Sequence, residues 1–171
     1  MNRIVYMVLR HLLIVPYWFW KIDHMGKRPD QYPEQERYDY LRNIIKTINQ
    51  NGRVTVRGYG EEQLPKENGF ILFPNHQGFF DMLAIIDTCP KPLGVIIKKE
   101  AANWILVKQV LRLLGGIPMD RSDIRAAMEV IKEMTRQVKE GKNYVIFPEG
   151  TRSRKGNELL EFKAGTFKSA I

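Results

Sequence analysis

Apolar positions change their spacing several times along the chain, and each change marks a predicted element. From Ile4 to Trp20 the sequence is almost wholly apolar, interrupted by Arg10 and His11. The stretch is shorter than the ~20 residues a spanning helix needs and carries a charge near its middle. It predicts a helix lying in one leaflet of a membrane rather than crossing it. A core helix of a soluble domain is the competing reading. Met25 to Tyr32 forms a polar link, after which Pro33 suits the first turn of a helix. Leu41, Ile44, Ile45 and Ile48 recur at helical spacing and Gly52 supplies a stop. Residues 1–50 are therefore expected to form a helical hairpin ahead of the main body.

From residue 51 the pattern turns to strand and helix in alternation. Val54 and Val56 alternate with charged or polar neighbours, as in a half-buried strand. Phe70 to Phe73 is a short apolar run between Gly69 and Pro74 that predicts a buried strand. Phe80 to Thr88 reads as a helix, closed by the turn Pro90-Lys91-Pro92, and Leu93 to Ile97 as a strand. Ala101 to Leu114 reads as one apolar helix ended by Gly115 and Gly116, with a short strand, Ile117 to Met119, behind it. Ser122 is placed to cap a helix whose Ile124, Ala127, Met128, Ile131, Met134 and Val138 share one face. Gly141 ends that helix and Tyr144 to Phe147 supplies a last strand. The order predicts an α/β domain over residues 51–171 with a mixed, mainly parallel sheet flanked by helices.

Composition narrows the picture only slightly. A chain of 171 residues is long enough for one domain with a core. The net charge of +8 points to an anionic partner without choosing among nucleic acid, an acidic carrier protein, a phosphorylated substrate and an anionic bilayer. The single cysteine, Cys89, allows no intramolecular disulfide and reads as structural. No small-residue cleavage site follows the first apolar stretch. Trp18, Phe19 and Trp20 lie beside Lys21 instead, a composition suited to the bilayer interface.

Three segments carry residues able to do chemistry, each at a predicted strand end. In Asn75-His76-Gln77-Gly78-Phe79-Phe80-Asp81, a histidine precedes a carboxylate that could orient its ring across the first helical turn. Alone, such a pair is more often a hydrogen-bonded bystander. In Phe147-Pro148-Glu149-Gly150-Thr151-Arg152-Ser153-Arg154, Gly150 would let the backbone approach a ligand and Arg152 could grip a phosphate. An ordinary polar turn is the bland counterpart. In Gly115-Gly116-Ile117-Pro118-Met119-Asp120-Arg121, the arginine could equally be a surface partner of Asp120 or Asp123. There is no serine nucleophile elbow and no His or Cys set for a metal. No helix-turn-helix, zinc-finger or RNA-binding motif is present, so nucleic acid is not expected.

Taken in order, the NHxxxxD, GGIPMDR and FPEGTRSR segments resemble the glycerolipid acyltransferase family, specifically its bacterial 1-acyl-glycerol-3-phosphate acyltransferases. The resemblance covers roughly residues 50 to 171, and the N-terminal hairpin is similar to that family's membrane anchor. It implies that His76 is the general base, Asp81 its orienting partner and Arg152 the phosphate ligand, with Arg121 assisting. Glu149, Gly150 and Thr151 would then belong to the acceptor pocket, and Lys99 would be an auxiliary basic residue. The implied reaction moves an acyl group from acyl-CoA or acyl carrier protein to lysophosphatidic acid, with no cofactor. The implied location is the cytoplasmic face of the cell membrane, held from one side through anionic phospholipid. Glycerol-3-phosphate or another lysolipid is the alternative acceptor, and an inactive membrane-binding relative the alternative role. Gly78 stands where many relatives have serine. Those relatives continue into a further strand and a fourth motif, so the domain is expected to be shortened at its C-terminus. The apolar Ala101 to Leu114 segment, with Trp104, Ile105, Leu106, Val110, Leu111 and Leu114, is expected either to line an acyl channel or to fill the core. Its Lys108 and Arg112 are expected to face lipid headgroups.

Overall fold

The computed structural model describes residues 12–154 and 158–169, so the beginning of the expected anchor, Ile4 to His11, lies outside the described residues. Four short strands form one sheet: β1 (Ile71–Leu72), β2 (Gly94–Lys98), β3 (Ile117–Met119) and β4 (Tyr144–Val145), in the order β1-β4-β2-β3. Every pairing is parallel, with Ile71 opposite Tyr144, Gly94 opposite Tyr144 and Ile96 opposite Ile117. Among the described residues five α-helices accompany the sheet: α1 (Val15–Gly26), α2 (Glu34–Asn51), α3 (Phe80–Thr88), α4 (Val107–Leu113) and α5 (Ile124–Lys139).

Strand side chains alternate between faces, and that alternation divides the interior into two cores. Val95, Val145 and Phe147 join Ile22, Met25, Tyr38, Leu41, Ile86 and Leu113 on the face covered by α1 to α4. Ile96, Tyr144 and Ile146 join Met119, Ile131 and Met134 on the face covered by α5. Both faces of a parallel sheet are thus covered, as its βαβ connections require.

The N-terminal hairpin is tied into this body by specific bonds. On α2, Arg42 donates Nε to the Ile86 and Asp87 carbonyls at 3.2 and 3.1 Å, neutralising the C-terminal end of α3. Tyr38 donates to the Cys89 carbonyl at 3.0 Å, and Asn49 donates to the Asp87 carboxylate at 2.6 Å. The buried Arg37 donates to the Leu113 carbonyl at 2.6 Å. On α1, Gly26 lies so close to α4 that a Cβ there would sit 3.1 Å from the Leu113 nitrogen. Among the described residues no helix is long and apolar enough to cross a membrane.

Several expectations need correction. The polar link begins later than its sequence suggests, because α1 continues to Gly26. Val54 and Val56 are half-buried between exposed neighbours, but the segment is no strand. The Val54 amide turns back to the Asn49 carbonyl at 2.8 Å and so stays with the end of α2. The strand within Phe70 to Phe73 shrinks to two half-buried residues, because β1 is an edge. Asp123, not Ser122, caps α5, accepting from the Arg125 and Ala126 amides at 2.9 and 3.1 Å. The Ser122 hydroxyl donates instead to Asp120 at 2.6 Å.

The expected helix Ala101 to Leu114 breaks into a 3-10 turn, Ala101–Asn103, and α4, with Leu106 between them at φ +73°. The N-terminal part of the run, Trp104 to Val107, is uniformly apolar and carries no local signal of the break. Arg112, expected at lipid headgroups, pairs with Asp23 at 3.2 Å and helps hold α1 to α4; Lys108 is exposed.

Candidate active site

The C-terminal ends of the four strands deliver the chemistry-bearing segments to one edge of the sheet, where open α/β sheets bind ligands. His76 follows β1, Lys99 follows β2, Asp120 and Arg121 follow β3, and the 147–154 segment follows β4.

His76 and Asp81 meet as their spacing suggested. The His76 Nδ1 lies 2.7 Å from Asp81 Oδ2, both side chains being about one-fifth exposed. The same oxygen accepts the Gln77 and Gly78 amides at 2.7 and 2.9 Å. Asp81 stands in the first turn of α3, where unpaired amides and the helix dipole favour an anion. Burial raises its pKa, but the Gly78 amide, the His76 ring and the Gln77 amide outweigh burial and hold the carboxyl below its ordinary value. A carboxylate on Nδ1 fixes the ring and leaves Nε2 as the nitrogen able to take a proton.

The 147–154 segment packs against this pair through Phe147, Glu149 and Ser153. Phe147 stacks on the His76 ring, centroids 4.1 Å apart. Glu149 is 2% exposed, and its carboxylate accepts the His76 amide at 2.6 Å and the Leu160 amide at 3.1 Å. It therefore clasps two loops rather than presenting a free carboxylate. The Ser153 amide closes the clasp onto the His76 carbonyl at 2.7 Å. Gly150 adopts φ +67°, and a Cβ there would come within 3.0 Å of the Lys163 side chain. Its carbonyl accepts from the Arg121 guanidinium.

Arg152 lies over the Phe79 ring, 4.2 Å from its centroid, which places a second guanidinium beside the His76 loop. Lys99 approaches Asp120 at 3.4 Å, next to Arg121. Hydrogen bonds from Ser122, aided by Lys99, hold Asp120 down to about 2. Thr151 is exposed. The structure thus joins His76, Asp81, Glu149, Gly150 and Arg121 through direct bonds, and brings Arg152 and Lys99 in through Phe79 and Asp120. Sequence reasoning missed Phe79 and Phe147, the two ring platforms; their signal was an aromatic residue inside each polar loop segment. Among the described residues no cluster of His, Cys, Asp or Glu is placed to hold a metal ion.

The acyltransferase family profile matches residues 53–171. A 1-acyl-sn-glycerol-3-phosphate acyltransferase of Borreliella burgdorferi is 34% identical over 112 residues, covering 66% of this chain and 44% of that protein. One of Cocos nucifera is 41% identical over 98 residues, covering 57% of this chain and 32% of that protein. The chain thus spans less than half the length of these curated relatives. The crystal structure of the 1-acyl-sn-glycerophosphate (LPA) acyltransferase of Thermotoga maritima shares the fold, with TM-score 0.73 and 24% identity over 99% of this chain and 69% of that one.

Proposed function

The chain belongs to the acyltransferase family, and we propose that it moves a fatty acyl group from an acyl thioester to the free sn-2 hydroxyl of 1-acyl-glycerol-3-phosphate, giving phosphatidic acid. The names of its curated relatives support this substrate. The observation that carries the reading is the His76 Nδ1 to Asp81 contact at 2.7 Å, set at the strand ends beside Arg121 and Arg152.

In this reading His76 Nε2 takes the proton of the acceptor hydroxyl as its oxygen attacks the thioester carbonyl. The tetrahedral intermediate collapses with rupture of the C–S bond, and His76 returns the proton to the departing thiolate. Asp81 stays ionised throughout and stabilises the imidazolium. The thioester is already activated, so the residues need only move one proton and hold charge. Arg152 and Arg121 bind the acceptor phosphate with permanently charged, forked donors, and Lys99 adds positive charge at the pocket edge. Glu149, Gly150 and Thr151 shape the glycerol pocket. The donor is acyl-CoA or acyl carrier protein, both of which present the same kind of thioester. Residues 1–50 serve as the anchor, holding residues 51–171 to the cytoplasmic face of the membrane from one side. The exposure of Leu13, Tyr17 and Trp20 on and before α1 supports that placement.

The test incubates the detergent-solubilised chain with a long-chain acyl thioester and lysophosphatidic acid and follows phosphatidic acid. Product from the parent, with a loss of at least ~100-fold in His76→Ala, is expected for general-base catalysis. Equal rates in the two proteins would sink the mechanism.

A further inference from the structure

The break between the Ala101–Asn103 turn and α4 does more than shorten a helix. Trp104, Ile105 and Leu106 are 52%, 84% and 49% exposed, three consecutive large apolar side chains turned outward. Leu106 holds φ +73°, a conformation a γ-branched residue adopts at a cost, and its amide is secured by Gln109 Oε1 at 2.9 Å. This segment follows the C-terminal end of β2, so it lies at the edge of the sheet that carries His76 and Arg152. The Trp104 ring is 6.3 Å from Phe79, itself 68% exposed and the platform of Arg152.

Exposed apolar side chains also stand on α1, which packs against α4. That helix and α4 meet near their C-terminal ends, where Gly26 lies on Leu113 and Asp23 pairs with Arg112. α1 brings the exposed Val15, Tyr17 and Trp20. The exposed Lys108 follows the loop within one turn, and the chain as a whole is strongly basic.

We propose that Trp104–Leu106 is a second bilayer-contacting element, an apolar finger that enters the headgroup–acyl boundary of an anionic phospholipid bilayer at the rim of the active site. Three features favour a bilayer over a protein partner. An indole suits the interfacial depth, an aliphatic pair suits the acyl region just below it, and Lys108 matches anionic headgroups. The finger holds the site mouth against the membrane, so that a lipid acceptor reaches His76 without leaving the interface. The inference deepens the proposed function and rests on its lipid acceptor.

Replacing Trp18 and Trp20 by Phe leaves Trp104 as the sole indole. Mixed with vesicles of phosphatidylcholine and phosphatidylglycerol bearing brominated acyl chains, this protein should show Trp104 emission that shifts to the blue and is quenched. In the wild-type background, Ile105→Asp should weaken vesicle partition roughly tenfold, as expected for withholding one aliphatic side chain from an apolar phase. Its melting temperature should not change, because residue 105 is exposed. Trp104 emission unmoved by vesicles that nonetheless carry the protein would overturn the proposal. So would a blue shift that tracks protein concentration without lipid, which would assign the surface to a second copy of the chain. Binding is read without turnover, so quenching in an inactive chain defeats only the reaction assigned above. Turnover without quenching defeats only the finger.

Discussion

At the scale of single residues the site depends on groups that position rather than react. Asp81 accepts three donors on one oxygen, and Asp81→Asn would remove the charge while nearly keeping the shape. We expect kcat to fall by on the order of 100-fold or more, with a smaller change in KM, measured in the phosphatidic acid assay. The same carboxyl makes a stability prediction whose sign follows from its lowered pKa. Its contribution is fully present above the unfolded-state value of 3.8 and is lost as pH falls through the lower folded value. The stability gap between parent and Asp81→Asn in urea should therefore persist at pH 5 and narrow only below 3.8. Glu149→Ala should strand the His76 and Leu160 amides, costing about 2–3 kcal/mol and displacing the His76 loop. The spacing of His76 and Asp81 allowed them to pair, and the family resemblance singled that pair out. The job of Glu149 was not legible in the sequence, because it clasps a residue 73 positions away.

At the scale of elements, stability concentrates where one side chain closes several ends. Asn143 is buried and accepts the Gly69 amide at 2.8 Å while donating to the Pro92 carbonyl at 2.9 Å. It thereby joins the approaches to β1, β2 and β4 at the edge opposite the site. Asn143→Ala should cost about 2–3 kcal/mol in urea denaturation, the penalty of leaving buried partners unpaired. At the α1–α4 contact, Gly26→Leu should lower the melting temperature by several degrees, since a side chain cannot enter against the Leu113 backbone. The extent of α2 was legible from Pro33, Gly52 and its helical spacing. Its capping of α3 through Arg42 was not, because that bond joins helices distant in sequence.

At the scale of the molecule, two tyrosines hold the layers on opposite faces of the sheet. Tyr144 sits beneath α5 with its hydroxyl 2.6 Å from Gln137 Oε1, and Tyr38 bonds the Cys89 carbonyl under α2. Burial pushes Tyr144 up to about 12 and raises Tyr38 well above the usual phenol range. A raised folded pKa gives stability that is full below the unfolded value of 10.0 and is lost as pH rises through the folded one. Alkaline unfolding should therefore begin above pH 10.0, with tyrosinate absorbance and loss of helical circular dichroism rising together. Partition onto anionic vesicles should weaken as salt is raised, because part of the attraction comes from the +8 charge.

The sequence by itself determined what depends on near neighbours. It specified the α/β alternation, the limits of α2 and α3, and the strand-end loops that bear His76, Asp81, Arg121 and Arg152. Periodicity, proline and glycine act within a few residues and leave their mark there. Tertiary structure decided what depends on distant partners. It made β1 an edge, left Val54 and Val56 without a ladder, broke the apolar 101–114 segment, paired Arg112 with Asp23 and stacked Phe147 on His76. These outcomes follow from which surfaces remain to be covered once the sheet has assembled, a quantity no local window of sequence contains.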